Sequence, residues 1–320
     1  MRGMRVLSCL TVAAALLATC GIGSAQETLK LAIGQRGNWD TSVSELGQRA
    51  GIFKQHGLEL EILYTQGGGE TQQAVISGSV DIGVGAGVMG VLSAFSKGAP
   101  VRVIGAVVKG GADVFWYVKA QSPIRSLKDA SGKTIAYSTT GSSSHEMASV
   151  LTRENGVQAK LVATGGPSAT LTQVISDQID IGWSAPPFGL DLLDDNKIRI
   201  VARGSDAKEL EGQTVRLLIT NVQALKARKA ALDRYMKAYR QTLDWMYSDP
   251  AALKLYAEFV GIPQERAKRT RDEFFPKAAL DPDKVVGLDA IMPEAVSLKF
   301  IAKPVTAEQL SEMLQIPPRS

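Results

Sequence analysis

Cysteine is almost missing from this 320-residue chain, and the two that occur, Cys9 and Cys20, both fall within its first twenty residues. The segment holding them starts with Arg2 and Arg5, runs through the apolar stretch Val6–Ala18 and reaches small residues at Gly23–Ala25. That is the pattern of a secretory signal peptide, with cleavage expected after Ala25. Its removal leaves no cysteine, so disulfides, thiolate nucleophiles and cysteine-ligated metals are excluded together. The alternative is a lipoprotein cut before Cys20 in "LATC", although Thr19 stands where such sites prefer a smaller residue. Histidine is as scarce, with only His56 and His145, and two imidazoles without a carboxylate cluster make a poor metal site. After the leader no run approaches the roughly 20 apolar residues of a membrane span. Excess charge of one sign is lacking too. The formal net charge is +4, and loss of Arg2 and Arg5 leaves too little, too dispersed, for a nucleic-acid surface.

The remaining residues are enough for two lobes with proper cores. Apolar strand-like runs alternate with amphipathic stretches: "LKLAIG" from Leu29, "LELEILY" from Leu58, "VDIGV" from Val80, "VRVIGAVV" from Val101, "TIAYS" from Thr134, "AKLVAT" from Ala159, "IDIGW" from Ile179, "IRIVA" from Ile198 and "VRLLIT" from Val215. Such alternation predicts α/β sheets with parallel strands. Ser42 and Glu45 stand in capping-box spacing at one helix start.

The sequence also repeats itself once. Shifted by 99 residues, His56–Gly83 lies without a gap on Asn155–Gly182, with ten identities that include Thr65/Thr164, Thr71/Thr170, Asp81/Asp180 and Gly83/Gly182. Each copy reads as strand, glycine-rich turn, helix and strand. Two similar lobes are therefore expected, and a unit used twice is no solenoid. In open α/β sheets ligands bind beyond the carboxyl ends of strands. The loops there hold "GQRGNWDTS" (Gly34–Ser42), "TQGGGE" (Thr65–Glu70), "GAGVMG" (Gly85–Gly90), "TTGSSSHEM" (Thr139–Met147), "TGGPSA" (Thr164–Ala169) and "SAPPF" (Ser184–Phe188). Two such faces meeting across a hinge make a cleft.

The stretches "GIFKQHGLELEI" (Gly51–Ile62), "GGGETQQAVISGSVDIGV" (Gly67–Val84), "SLKDASGKTIAYSTTGSSSH" (Ser126–His145) and "SDQIDIGWSAPP" (Ser176–Pro187) resemble the nitrate/sulfonate/taurine-type substrate-binding proteins of bacterial ABC importers. That group shares its fold with thiamine-pyrimidine-precursor binders. The resemblance implies a type II periplasmic binding protein fold, two similar α/β lobes joined by two crossover strands near Ala112–Ala120 and Thr214–Asn221. Residues 26–118 would begin lobe 1, 119–217 would form lobe 2, and 218–320 would return to lobe 1 with C-terminal helices. It further implies a periplasmic monomer that hands a small oxyanion, such as an alkanesulfonate, taurine or nitrate, to a membrane permease and its ATPase, with no cofactor.

The cleft chemistry follows from the loops. A helix N-terminus offers unpaired N–H donors, and hydroxyls add more without a buried charge. Gly141 allows close backbone approach, Thr140, Ser142, Ser143 and Ser144 can donate, and His145 follows them; simple N-capping would need only one serine. Gly68, Gly69 and Gly87 open the facing loops, and Asn38 and Ser184 add polar groups. Micromolar affinity needs about −8 kcal/mol, whereas one helix terminus contributes at most about 2 kcal/mol. Arg36 is therefore expected to supply a cation, with Trp39, Trp183 and Phe188 as apolar walls. Trp116 reads as hinge packing.

Enzymatic readings fare poorly. "GAGVMG" matches a dinucleotide fingerprint but lacks the acidic residue after the next strand. "SGKT" (Ser131–Thr134) precedes its strand and has Leu127 where a P-loop needs glycine, and "GSSSH" lacks the closing glycine of a nucleophile elbow. No catalytic residue or metal ligand is assigned. The rival readings are a binder of a neutral heterocycle, which would stack between Trp39 and Trp183 and ignore loss of Arg36, and a periplasmic sensor without a transport partner.

Overall fold

The computed structural model describes residues 26–319; the proposed leader and the cleavage and lipidation sites lie outside these residues. The first half of the chain gives β1 (Glu27–Gly34), α1 (Val43–Arg49), α2 (Ile52–Gln55), β2 (Leu58–Thr65), α3 (Gly68–Ile76), β3 (Ile82–Gly87), α4 (Val88–Ser96) and β4 (Val101–Lys109). Then come β5 (Phe115–Lys119), β6 (Thr134–Tyr137), α5 (Ser143–Glu154), β7 (Lys160–Ala163), α6 (Pro167–Ile175), β8 (Gly182–Ser184), α7 (Leu190–Asp194) and β9 (Ile198–Arg203). β10 (Thr214–Asn221) leads into α8 (Val222–Ala227), α9 (Lys229–Ser248), α10 (Pro250–Val260), α11 (Gln264–Arg269), α12 (Leu288–Ser297) and α13 (Ala307–Met313). Each of the nine apolar runs becomes a strand, and the segment expected to cross between lobes supplies β5.

The first sheet has the order β2-β1-β3-β10-β4, with β10 antiparallel to both neighbours. In the second lobe β8-β5-β9 and β6-β7 are joined where Ala136 N–H donates to Ile181 O (2.8 Å) and Ile181 N–H to Thr134 O (3.1 Å). The resulting order, β7-β6-β8-β5-β9, matches the first element for element, again with one antiparallel strand fourth. That strand comes from the far side of the crossover in each case. The chain changes sheets at residues 110–114 and returns at 204–213, so the sequence-based bounds of 118 and 217 fall inside β5 and β10.

The repeat identities build the same parts twice. Thr65 and Thr71 share a hydroxyl hydrogen bond (2.8 Å), and so do Thr164 and Thr170 (2.6 Å). Each staples a strand end to the helix that follows it. The Asp81 carboxylate accepts the Lys30 N–H (2.8 Å), and that of Asp180 accepts the Thr134 N–H (2.9 Å). A methyl group on Gly83 would meet the Val75 side chain at 2.8 Å, and one on Gly182 that of Val174 at 2.7 Å, so helix and strand pack too closely for anything but glycine. Asp81 also pairs with the Arg228 guanidinium (2.7 Å), between α8 and α9, whereas Asp180 pairs with Lys133 of its own lobe (3.5 Å).

The C-terminal helices pack mainly on the first lobe. Tyr235, Tyr239 and Met246 of α9 join Leu46 and Phe53 in its core, while Ile291, Met292 and Ala295 of α12 cover the other face of its sheet beside Met89 and Leu217. The Ser42–Glu45 capping box does not form. Ser42 donates instead to Asn38 O (2.5 Å), and Glu45 is taken by Arg49 (2.6 Å) and the Tyr64 hydroxyl (2.8 Å). Among the described residues no helix is long and apolar enough to cross a membrane.

Candidate functional site

The loops after the parallel strands of both lobes converge on a small polar cavity of about 20 Å³. From the first lobe Gly34 ends β1, Gln35 and Asn38 follow it, Gly68 opens α3 and Gly85 lies in β3; from the second come Ser138, Ser142, Ser143, Ser144, Trp183 and Ala185. The rims touch. Gly69 N–H donates to Thr139 Oγ1 (2.9 Å) and Gly166 N–H to Gln66 Oε1 (3.2 Å). At the start of α4 a methyl on Gly87 would lie 2.5 Å from Gly141 O, and one on Gly90 would run into the same carbonyl, so two backbones meet with no room for a side chain. The lobes are closed on each other, and the volume left between them is on the scale of one or two water molecules.

One cation sits there. Arg216 in β10 is 6% exposed and donates from Nη1 to Asp40 (2.7 Å), from Nη2 to Asp113 (2.6 Å) and from Nε to Ser143 Oγ (3.0 Å). It thereby ties a first-lobe loop, the first crossover and the second lobe together. A guanidinium has five N–H groups, so two remain uncommitted. Burial works against its charge, but Asp113 and Asp40 outweigh that and raise its pKa. Burial also raises the Asp113 pKa, with Asp40 adding to it against the pull of Arg216. Two carboxylates against one guanidinium leave no net positive charge for an incoming anion.

A second cavity, about 250 Å³, lies between the second lobe and the α10–α11 corner. Tyr117, Leu171, Ser184, Pro187, Phe188, Leu192 and Ile198 line it from the second lobe, and Val260, Ile262 and Arg266 close it from the α10–α11 corner. An ion pair between Arg269 of α11 and Asp194 of α7 (2.9 Å) holds that corner against the second lobe. The lining is mainly apolar, with the Ser184 hydroxyl, Arg266 and Asp191 as polar points.

The residues singled out from sequence divide accordingly. Asn38, Gly68, Ser142, Ser143, Ser144 and Trp183 line the inner cavity, and Ser184 and Phe188 the outer. Gly69, Gly87 and Gly141 form the seam. Thr140 is exposed, with its carbonyl against Gly69. His145 stacks on Tyr137 (4.2 Å between ring centres) and meets Phe300 edge-on, and loss of solvent holds its pKa below the ordinary value.

The serines do less than expected as ligand donors. Ser142 caps α5 by accepting the His145 N–H, and Ser144 is bonded to Ser138, which leaves Ser143 with an uncommitted proton. Arg36 is not in either cavity: it is exposed, donates to Phe259 O (2.7 Å) and lies over the Phe259 ring. Trp39 is not a wall of the cleft either. It is fully buried between Tyr247 and Tyr256 in the first lobe, so it cannot sandwich a ligand with Trp183. Trp116 donates to Ala136 O (2.8 Å) inside the second lobe. Arg216 and Arg266 were missed. The first had a signal, a charged residue inside the apolar run "VRLLIT". Among the described residues no group of three or more His, Cys, Asp or Glu is placed to hold a metal ion.

Solved proteins that share this fold include binders of alkanesulfonates and of nitrate. The alkanesulfonate-binding protein SsuA of Xanthomonas axonopodis pv. citri, solved with bound MOPS, superposes with a TM-score of 0.73 at 19% identity, over 91% of this chain and 98% of its own. The nitrate-binding protein NrtA of Synechocystis PCC 6803 gives 0.71 at 11% identity, over 90% and 86%. These likenesses establish the type II periplasmic binding protein fold. The 4-amino-5-hydroxymethyl-2-methylpyrimidine phosphate synthase THI11 of Saccharomyces cerevisiae is 25% identical over 226 residues, 67% of this chain and 66% of that enzyme. With residues 45–253 matching the model of the family described as NMT1/THI5 like, the chain belongs to that family.

Proposed function

We propose that the protein is the solute-capturing component of an ABC importer, working in the periplasm, and that it takes a small organic solute between its lobes without transforming it. The observation that carries this reading is the pair of polar rims on twin lobes, joined over a space of about 20 Å³ by bonds that exist only between lobes; a solute larger than a water or two is held with the rims further apart than they stand here. An opening and closing motion about residues 110–114 and 204–213 would break those bonds and leave each lobe's core intact. A ligand that contacts both rims then favours the closed form in proportion to its preference for it.

The charge balance bears on the solute. A free oxyanion brought to Arg216 would meet Asp40 and Asp113 as well, whereas a neutral polar head could use the spare guanidinium donors and the Ser143 hydroxyl. A neutral heterocycle of the pyrimidine kind is therefore the first choice, and family membership supports it. An alkanesulfonate is the second, favoured by Arg266 beside the apolar lining of the outer cavity. Nitrate, with no apolar part, makes no use of that lining.

Thermal-shift screening against pyrimidines, carboxamides, alkanesulfonates and nitrate tests the reading. A ligand at 100 times its dissociation constant adds about 2.7 kcal/mol of stability. Nitrate as the sole stabiliser would overturn the preference for organic solutes. A changed product by mass spectrometry would overturn binding without turnover.

A further inference from the structure

The seam beside the inner cavity contains two ionisable side chains that the solute site does not use, on consecutive residues of α5. Glu146 is 1% exposed, and its carboxyl oxygens have no side-chain partner and no hydrogen bond of good geometry; the Met89 amide is the one donor that acts on them. It belongs to the second lobe, on a helix that packs against its own β6 and β7 and also against α4 and β3 of the first lobe; the Met89 amide of α4 and Glu294 of α12 both act on its charge from across the seam. His145 is likewise wedged between its own lobe's Tyr137 and Phe300, which follows α12.

We infer that closure of this protein is proton-gated: the lobes shut when Glu146 and His145 are both uncharged, and charging either one opens the seam. The inference rests on the capture reading above, because it concerns the same closure, yet it names a control that the solute does not supply.

The surroundings offer the Glu146 charge no countercharge. On α4 and β3 nothing ionises. Glu294 on α12 adds repulsion, since its Arg153 partner (2.6 Å) is shared with Glu209. Tyr137 on β6 is engaged with His145, Lys160 on β7 is exposed, and Asp206 in the turn packed on α5 is held by the Arg203 amide (2.7 Å). Burial is the main reason the Glu146 carboxyl is pushed up to about 8; the Met89 amide opposes it and Glu294 adds to it.

Opening would return Glu146 to water and to the ordinary value near 4.5. Closing therefore takes up a proton, and the closed state loses ground as pH rises from 4.5 to 8. The closed-to-open ratio should fall roughly tenfold between about pH 7 and 9. His145 acts with opposite sign. Its pKa is depressed in the closed form, so acidification below about 6.5 favours the open form and flattens the gain from Glu146.

Small-angle scattering from pH 5 to 9 on the solute-free protein, with ¹³C NMR of the glutamate carboxyls, tests this without knowledge of the solute. The expected result is one glutamate titrating near pH 8, alkaline opening in step with it, and loss of both in Glu146→Gln, which keeps the shape of the neutral acid. His145→Phe should restore closure on the acid side. No glutamate titrating above about pH 6 in the native protein, or alkaline opening that survives Glu146→Gln, overturns the proposal; an unchanged acid limb in His145→Phe overturns the histidine half. If no solute stabilises the protein but opening still follows Glu146, the capture reading fails and the gate stands. If solutes bind and no such titration exists, the reverse holds.

Discussion

Within its third parallel strand the first lobe has Val84, and the second, at the matching place, has Trp183, whose ring nitrogen donates to Gly165 O (3.1 Å) and whose side chain lines the inner cavity. The strands behind them, the threonine staples and the strand-capping aspartates are the same in both. Between the two copies the interior parts stayed fixed while the rims diverged. The first lobe supplies glycines and the Asp40–Arg216 pair; the second supplies serines and an aromatic wall. Stability is symmetric and recognition is not, because a core position answers to its own lobe alone whereas a rim position also answers to the opposite lobe and the solute.

The comparison can be broken hardest at Arg216. Arg216→Ala leaves two buried carboxylates unpaired and should cost about 3–5 kcal/mol, read by denaturant unfolding; a loss below about 1 kcal/mol would show that these ion pairs do not hold the closed fold together. Next is the seam. Gly90→Ala drives a methyl into the Gly141 carbonyl, so the lobes should stay apart with each fold intact, seen as a larger radius of gyration and a loss of about tenfold or more in solute affinity, equivalent to 1.4 kcal/mol. Unaltered affinity would place the solute outside the closed cleft.

A finer test concerns the staples. Thr71→Val and Thr170→Val each remove one hydroxyl pair, and each should cost about 1 kcal/mol. Equal losses support symmetry of the interiors; a difference beyond about 1 kcal/mol would refute it. Smallest of all, Arg36→Ala removes an exposed contact with Phe259 and should change stability by no more than about 1 kcal/mol and solute affinity not at all. A tenfold affinity loss in titration calorimetry would return Arg36 to the site.

The architecture was legible because each strand is a short apolar run bounded by turn residues, and the gapless repeat fixed the register of the second lobe on the first. Six residues of the inner lining were legible for the same reason, as loop positions follow from strand ends. Direction was not. Trp39 and Trp183 both sit near strand ends, but the C-terminal helices roof the first lobe and swallow Trp39 among Tyr247 and Tyr256, contacts more than 200 residues away. Arg36 was lost to Phe259 on the same tail, and the outer cavity needs Val260, Ile262 and Arg266, none of which has a local pattern that announces it. Arg216 could have been found by asking what neutralises an arginine inside "VRLLIT", with Asp40 and Asp113 as acidic loop residues available to answer.

The aspartate shared by the two copies has a different history in each. Asp180 retains only its strand-capping duty and the ion pair with Lys133 (3.5 Å). Asp81 performs the same duty and has also become the mooring for Arg228, from which the long tail of helices departs. A carboxylate already present for one purpose thus offers a ready berth for an appendage, and the half that carries it is the heavier and more firmly anchored of the two.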